Sequence, residues 1–557
     1  MAAPSSGISV AALALGSNLG DRFHNIELAL RLLEVSKASL SPEDLQQCGA
    51  DVYAEVVDTS FMYETSPMYV TDQPSFINCA CLIETNIPPL VLLRLLKHIE
   101  TTVGRIPSVR NGPRAVDIDI VFYGTEVIDT RSPGDRTSLE NLTGQLVVPH
   151  PRVSEREFVL RPLNDMIPDF IHPICKKTIS ELVDALPEED PSMRRITPFP
   201  QYPLPPDYGW THTGVPIVPP TLTHWTYPIT ESKTPRHPIQ RKTHLMSTLN
   251  ATPDSFSDGA VHNTLETAMA YVRESVDAGV SVIDIGGYST RPGAAFVSTE
   301  EETNRIVPIV KVIRGSDDSL SGLAGRSRAV LISVDTFRWE VAKASILAGA
   351  NCINDVYAFT GREDTWPVVD AGAIQRSEES LARMKSVARE FAVPVVLMHS
   401  RGDAGKNKDY SHYGAGPGAV VRGVQVELGA KVERIIKGKG SVRRWMVIVD
   451  PGIGFSKTVE GNLEVLRDGA TIVADVKLND KRNPLRGYPQ LVGVSRKSFL
   501  GLILAQGDRG RETMPKERVW ATAAGVVCAV QQGALVVRVH DTKEMADVVA
   551  VADQLWP

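Results

Sequence analysis

The chain has 557 residues, six cysteines and a formal net charge of −7. That length exceeds one compact core and asks for about two or three domains, and its Lys and Arg residues are spread evenly enough that no basic face points to nucleic acid. No run of about 18 uncharged apolar residues occurs, which excludes a membrane-spanning helix, and the absence of a CxxC pair or a zinc-spaced Cys/His cluster makes the cysteines reduced intracellular thiols.

The opening Met1-Ala-Ala-Pro-Ser-Ser is too short and too uncharged for a signal or transit peptide, so a cytoplasmic or mitochondrial location is expected. Residues 8–186 alternate strands and helices. Ser9–Leu15, Ala54–Tyr63, Phe76–Glu84 and Val116–Phe122 read as strands, and Asn25–Val35 and Pro89–Val103 as helices. The order βαββαβ predicts an α+β sandwich of ferredoxin-like type. Cys79 and Cys81, two apart on a strand, should share one face.

No GxxxxGK[ST] loop is present, so any nucleotide in this part is held by other means. In Gly112-Pro-Arg-Ala-Val-Asp-Ile-Asp-Ile120, Asp117 and Asp119 alternate with Ile118 and Ile120 and therefore project from one strand face. Adjacent carboxylates suit magnesium on a triphosphate, because hard cations take oxygen ligands. Taken alone, the pair reads more simply as a solvated strand face.

Residues 187–240 contain Pro198-Phe-Pro-Gln-Tyr-Pro-Leu-Pro-Pro206 and Val218-Pro-Pro220. Repeated proline favours extended backbone, so a semi-rigid linker is predicted, with Trp210 and Trp225 packed along the domain surfaces.

From 241 to 557 a short apolar strand, a polar loop and a helix recur. The predicted strands are His244–Asn250, Val280–Gly286, Val330–Asp335, Cys352–Asp355, Val393–His399, Met446–Asp450, Leu491–Ser495 and Ala534–His540. Eight such units predict an α/β fold, the (β/α)₈ TIM barrel. Their C-terminal polar residues, Asn250, Asp284, Asp335, Asn354, His399, Asp450, Ser495 and His540, should then converge on one pocket. Singly, a strand-end Asp is more often a helix cap, and Asp284 has a purely structural alternative. Gly286 and Gly287 are expected to let a flat ligand approach the backbone. Arg496, Lys497, Arg538 and His540 fall on the two loops that hold phosphate in this barrel and suit a multiply charged anion; Arg496 has a solvated alternative.

The ordered segments LNATPDSFSDG, DIGGYSTRPG, SVDT, NDV, MH, DPGIGF, SRKS and RVHD resemble dihydropteroate synthase over nearly the whole second part. The resemblance implies magnesium and pyrophosphate at Asn250. It implies pterin at Asp335, Asn354, Asp450 and Lys497, and pyrophosphate at Arg291, Arg538 and His540. Phe256, Thr290, Pro292 and Ser498 would form a p-aminobenzoate pocket. Asp335 and Lys497 would be catalytic, Asp335 by stabilising a pterin methylene cation after pyrophosphate leaves. Tyr288 departs from the family pattern, where Glu is frequent, and the long loop 401–416 is given no role.

Residues 8–172, through Leu15-Gly-Ser-Asn18, Asp72-Gln-Pro-Ser-Phe-Ile-Asn78, Arg105, Arg114 and Val148-Pro-His-Pro151, resemble 6-hydroxymethyl-7,8-dihydropterin pyrophosphokinase. The family implies two magnesium ions at Asp117 and Asp119 and pterin contacts at Asn78 and Phe158. It implies ATP contacts at Glu100, Arg105, Arg114 and His150, with Arg114 catalytic beside the carboxylates. The loop 106–111 is short, and Arg110 would replace a family arginine.

The expected domains are therefore 8–186, a linker 187–240, and 241–557. The expected partners are ATP, the pterin alcohol and p-aminobenzoate, with a homodimer through the barrel implied by resemblance alone. Some eukaryotic relatives carry a preceding dihydroneopterin aldolase domain, and the chain would then correspond to part of such a trifunctional protein. The alternative reading makes the barrel a pterin-binding methyltransferase-like or non-catalytic scaffold module. Lys497, Arg538 and His540, an anion site that methyl transfer does not need, weigh against it.

Overall fold

The structure, a computed structural model, describes residues 7–556 apart from 49–50, 106–111, 138–143, 187–189, 191, 206–207, 209–213, 230–241, 252–264, 290–294, 316–322, 324–325, 327–328 and 363–366. Arg110, Trp210, Phe256, Thr290, Arg291 and Pro292 lie outside the described residues. Among the described residues no helix is long and apolar enough to cross a membrane.

Strands β1 (Ser9–Ser17), β2 (Ala54–Thr59), β3 (Met62–Thr65), β4 (Phe76–Thr85) and β5 (Asp117–Tyr123) form an antiparallel sheet in which β1 lies between β5 and β4. Alternation along the strands feeds two cores. Leu13, Cys79, Cys81 and Ile83 join Ile26, Leu30 and Leu33 of helix α1 (Arg22–Glu34) and Leu92, Leu95 and Leu96 of α2 (Pro89–Val103). Ala12, Ala80, Leu82 and Phe122 join Val159, Leu160 and Leu163 of α3 (Glu157–Met166). Helix α1 starts because Asp21 accepts the His24 N–H at 3.1 Å. Helix α2 opens with proline and stops at Gly104, whose φ of +114° suits glycine.

The single strand expected over 54–63 is broken at Ser60 and Phe61. Buried Asp165 takes the Phe61 N–H at 3.0 Å and so removes it from the ladder. The larger correction concerns the predicted linker. Arg194–Pro200 and Thr221–Tyr227, here β6 and β7, pair with each other, and β6 also pairs with β3, so both strands extend the first sheet.

The second half is an eight-stranded parallel sheet: β8 (His244–Asn250), β9 (Val282–Gly286), β10 (Leu331–Asp335), β11 (Cys352–Asp355), β12 (Val395–Met398), β13 (Val447–Asp450), β14 (Leu491–Val492) and β15 (Val536–Val539). A parallel bridge between Val449 and Gln490 joins β13 to β14 and closes the barrel. Strand β14 is shorter than expected; the chain leaves the ladder after Val492 and turns through Arg496 at φ +60°.

One interior layer takes a residue from every strand: Met246, Val282, Leu331, Cys352, Val396, Ile448, Leu491 and Val536, and these cluster with Phe199, Trp225 and Tyr227 of β6 and β7. The proline-rich hairpin is thus the apolar base of the barrel. Trp225 stacks on His244, the first residue of β8, at 3.9 Å between ring centres. The first domain docks at the same end: Tyr202 donates to the Phe391 carbonyl at 3.1 Å, Asn351 to the Pro200 carbonyl at 2.8 Å, and Arg444 to the Thr59 carbonyl at 2.7 Å. These barrel residues precede β12, β11 and β13, so the strand C-termini face away from the joint.

Candidate active sites

In the first domain a cleft is lined by Gly16 at the end of β1, Phe76 and Asn78 on β4, Asp117 and Asp119 on β5, and Arg114, Arg156 and Phe158. The motif Leu15-Gly-Ser-Asn18 acts here through Asn18. Its amide donates to Gln73 Oε1 and the Pro74 carbonyl, both at 3.1 Å, and its Oδ1 accepts the Arg114 N–H at 2.8 Å. One side chain thereby ties together the two loops that flank the cleft. Asn78 donates to Thr65 Oγ1 at 2.8 Å, and a Cβ on Gly16 would lie 2.7 Å from Asn78 Oδ1, so glycine there leaves room for the amide.

Asp117 accepts from Arg105 Nη1 at Oδ1 and from Arg114 Nη1 at Oδ2, each at 2.8 Å. Burial raises its carboxyl, but Lys97, Arg114 and Arg105 outweigh that and hold it below the ordinary value. Asp119 is more open and has the Lys97 ammonium 3.9 Å away. Two carboxylates on one strand face, backed by three cations, have the hard-oxygen chemistry that suits a divalent ion. Glu100 is buried rather than on the cleft wall: it accepts from Ile118 N at 2.8 Å, Lys97 Nζ at 2.6 Å and Arg105 Nη1. It reaches the site only by orienting those cations. His150 is likewise absent from the wall; burial lowers its pKa.

Phe76, Arg156 and Tyr69 on the cleft wall were not among the expected site residues. Phe76 was accessible to sequence reasoning, because it lies two residues before Asn78 on an alternating strand and so shares its face. Tyr69 accepts from Arg156 Nη2 at 3.1 Å, a contact between distant segments that has no local signal.

In the barrel, the interior face that is apolar at the base becomes polar two residues further along β9, β11, β13 and β15, at Asp284, Asn354, Asp450 and Arg538, and at Asp335 on β10. Arg538 bridges two carboxylates: Nε donates to Asp284 Oδ2 at 2.7 Å and Nη2 to Asp335 Oδ2 at 2.9 Å. Asn354 donates to the same Asp284 oxygen at 3.0 Å. Asp284, fully buried, is therefore the hub that orients Arg538 and Asn354. Burial pushes the Asp335 carboxyl up to about 7, against the pull of Arg538, with Asp284, Glu302 and Asp355 adding to the rise. Asp450 is also raised by burial, although it accepts Gly452 N at 2.7 Å and faces Lys497.

Lys497 lies 4.4 Å from the centre of the Phe455 ring. His540 Nδ1 is 3.0 Å from Ser495 Oγ, and Asn250 ends β8 beside Gly286. Ser498 is exposed at the start of the helix Ser498–Leu504. Three expectations change. Arg496 is partly exposed and engages Asp541, Nε to Oδ2 at 3.1 Å, rather than standing unpaired for an anion. His399 does not join the open cluster but is held by Glu427 and Lys457. A Cβ on Gly287 would lie 3.0 Å from the Glu302 carbonyl, so that glycine serves helix packing rather than a ligand.

With this geometry established, comparison with known proteins identifies both halves. Residues 12–168 match the family profile of 7,8-dihydro-6-hydroxymethylpterin-pyrophosphokinase, and residues 246–540 that of pterin binding enzymes. The "Folate synthesis bifunctional protein" of Arabidopsis thaliana is 32% identical over 98% of this chain and 95% of that protein. The "Folic acid synthesis protein fol1" of Pneumocystis carinii is 32% identical over 98% of this chain, which spans only 59% of that relative's length. The crystal structure of Plasmodium falciparum HPPK-DHPS with pterin and p-hydroxybenzoate aligns over 100% of this chain and 97% of that one, with TM-score 0.67 and 20% identity, a likeness of fold.

Proposed function

This chain belongs to the bifunctional folate-synthesis family, and from that premise we propose that it makes 7,8-dihydropteroate in two steps at two separate sites. Residues 8–186 form the pyrophosphokinase, of ferredoxin-like type, 187–240 join it to the barrel through the hairpin β6–β7 that extends its sheet, and 241–557 form the synthase.

In the first step the hydroxyl of 6-hydroxymethyl-7,8-dihydropterin attacks the β-phosphorus of ATP, AMP leaves, and the pterin carries the pyrophosphate. Asp117 and Asp119 would hold two magnesium ions, which neutralise the triphosphate. Arg105 and Arg114, parked on Asp117 here, are the groups free to turn to the phosphates once the carboxylate has another cation. Glu100 holds Arg105 from behind, and His150, behind the wall but near enough to feel the Asp119 and Asp117 charges, would support the ATP site from there. Phe158 and Phe76 offer two aromatic faces to the pterin, and Asn78 an amide to its edge.

In the second step the bond between the pterin methylene carbon and the pyrophosphate oxygen breaks. The amine of p-aminobenzoate then bonds to that carbon and loses a proton. Asp335 would stabilise the developing cation, Arg538, His540 and Arg291 would take the departing anion, and Asn250 would hold a magnesium ion, which would supply charge neutralisation for that anion. Asp335, Asn354, Asp450 and Lys497 read the pterin; Phe256, Thr290, Pro292 and Ser498 take the p-aminobenzoate. Exposed Leu502, Trp520, Val551 and Leu555 on helices of the barrel, with Met514 in a loop between two of them, support a homodimer through the barrel.

The observation that carries this reading is the pairing of Arg538 with Asp284 and Asp335 at the open end of a barrel whose partner domain holds the Asp117 and Asp119 carboxylates. The test is to supply the pterin alcohol, ATP, magnesium and p-aminobenzoate, and to measure AMP and dihydropteroate. Asp119→Ala should abolish AMP formation, and Lys497→Ala only dihydropteroate. AMP without dihydropteroate from the parent chain would reject the synthase half.

A further inference from the structure

Beside Asp450 lies a buried polar chain that neither step above uses. Lys457 is 4% exposed, yet its ammonium has three partners: the Gly452 carbonyl at 3.0 Å, the Phe455 carbonyl at 3.2 Å and His399 Nδ1 at 3.1 Å. His399, 1% exposed, places its Nε2 2.9 Å from Glu427 Oε2. Glu427 is gripped in turn by Arg401, Nε to Oε2 at 2.9 Å, and by the Tyr413 hydroxyl at 2.8 Å.

The hydrogen-bond pattern fixes the imidazole. Nδ1 can accept from the ammonium only if it carries no proton, so Nε2 carries it and donates to Glu427. Burial, with Lys457 adding to it, holds His399 down at about 3 and keeps the ring neutral. Burial also pulls Lys457 to about 7, with Asp450 and Glu427 opposing and Arg401 and Lys497 adding. An ammonium so desolvated is tolerated because each of its donors has an acceptor.

What Lys457 grips is the loop that builds one wall of the pterin site. Gly452 donates its N–H to the Asp450 carboxylate at 2.7 Å, and His399 N donates to the Asp450 carbonyl at 2.9 Å. Phe455 carries the ring on which Lys497 lies, and a Cβ on Gly454 would lie 2.7 Å from Lys497 Cδ. At the far end, Arg401 Nη1 donates to the Asn407 carbonyl at 3.1 Å and the Asp409 carbonyl at 2.5 Å, and Ser456 N donates to the Ala404 carbonyl at 2.8 Å. The long loop 401–416 is therefore sewn to the same relay.

We propose that Lys457, backed by His399, Glu427 and Arg401, is a positioning residue for the barrel's pterin pocket. It fixes the 451–456 loop so that the Asp450 carboxylate and the Phe455–Lys497 pair keep one spacing, with loop 401–416 as its buttress. The proposal rests on the synthase reading above.

The test supplies pterin pyrophosphate directly to the full-length chain, so the first site is bypassed. Lys457→Met keeps the stem and removes the donors. Its KM for pterin pyrophosphate should rise about tenfold or more, because misplacement of about 1 Å in a bound pose is costly, while the KM for p-aminobenzoate stays within about twofold. His399→Asn retains an acceptor near the Nδ1 position and should keep the parental KM; His399→Leu should behave like Lys457→Met. Calorimetric titration with pterin pyrophosphate reads the same loss without turnover. An unchanged pterin KM in Lys457→Met, or equal losses in His399→Asn and His399→Leu, would overturn the assignment. A parent chain that makes no dihydropteroate from these two substrates sinks the synthase reading itself, a result distinguishable from either.

Discussion

Arg538 Nη2 lies 2.9 Å from Asp335 Oδ2, bringing the eighth barrel strand's guanidinium onto the third strand's carboxylate. That pair sets the first prediction. Burial pushes the Asp335 carboxyl up to about 7 despite Arg538, so the carboxylate proposed to face the cation forms fully only above that pH in the free protein. With pterin pyrophosphate and p-aminobenzoate supplied, kcat/KM should rise as pH rises through about 7 and then level. Asp335→Asn should flatten that limb and lower the rate by about 10² to 10³. A rate that falls across the same interval would remove Asp335 from the role.

Replacing Arg538 should act in two ways. Arg538→Met removes an anion donor and also the cation that opposes protonation of Asp335. The rising limb should therefore move to higher pH, and the rate should fall by about 10² or more. Pre-steady-state release of pyrophosphate would show the loss in the first bond-breaking event. AMP formation in the same chain should be unaffected, since that site lies in the other domain.

The first site makes a metal-dependent prediction. Asp117 engages Arg105 and Arg114 together, so Asp117→Asn weakens the hold on both arginines, leaving Arg105 on Glu100, and removes a proposed metal ligand at once. AMP formation should fall by about 10³ and require more magnesium for half-saturation. Chelation of divalent ions should stop AMP formation in the parent chain. A variant with an unaltered magnesium requirement would place the ions elsewhere.

Between the domains, Glu27 accepts from Arg31 Nε at 2.8 Å, Arg389 Nη1 at 2.9 Å and Arg443 Nε at 3.1 Å, all largely out of water. Burial raises the Glu27 carboxyl, but Arg443, Arg389 and Arg31 overcome that and hold it well below its ordinary 4.5. A depressed carboxyl contributes stability above the unfolded value and loses it as pH falls through the folded one, so this contribution should fade from about pH 4.5 downward. Glu27→Gln leaves the arginines poorly paired and should cost about 3 kcal/mol, read by urea unfolding at neutral pH. The variant's midpoint should also change less than the parent's below pH 4.5.

Much of the fold was legible because its signals are local. Apolar strands of period two and their polar ends located Asp335, Asn354 and Asp450, and the barrel's rule about strand C-termini placed them together. That Asp117 and Asp119 share one strand face followed from alternation, whereas their assignment to magnesium came only from the family resemblance. The hairpin of Arg194–Pro200 and Thr221–Tyr227 was hidden because its prolines mask the alternation and its partner β3 lies some 130 residues earlier in the chain. Lys457 was equally hidden: its ring partner is 58 residues away and the carboxylate beyond it 28 more from that ring, so only the fold assembles the relay. Arg496 misled because its neighbour Lys497 carries the same charge, while the φ of +60° that turns the chain there has no residue-type signal.

The hairpin supplies the last prediction. Phe199 and Trp225 sit 4.4 Å apart between ring centres and cover a layer made of one residue from each barrel strand. Their rings are buried at 1% and 6% exposure, so removing either opens a cavity against Val282, Leu331 and Cys352 rather than a surface groove. Trp225→Ala should cost about 3 to 5 kcal/mol, read as a lower urea midpoint for the whole chain. The substrate KM values of the synthase step should stay near parental in the folded fraction, because Asp335 and Arg538 lie at the opposite end of the interior. A fragment beginning at Thr243 should expose the same apolar layer and aggregate on expression, whereas the intact chain stays monodisperse. An unchanged midpoint in Trp225→Ala, together with a well-behaved fragment, would return this segment to the role of a simple linker.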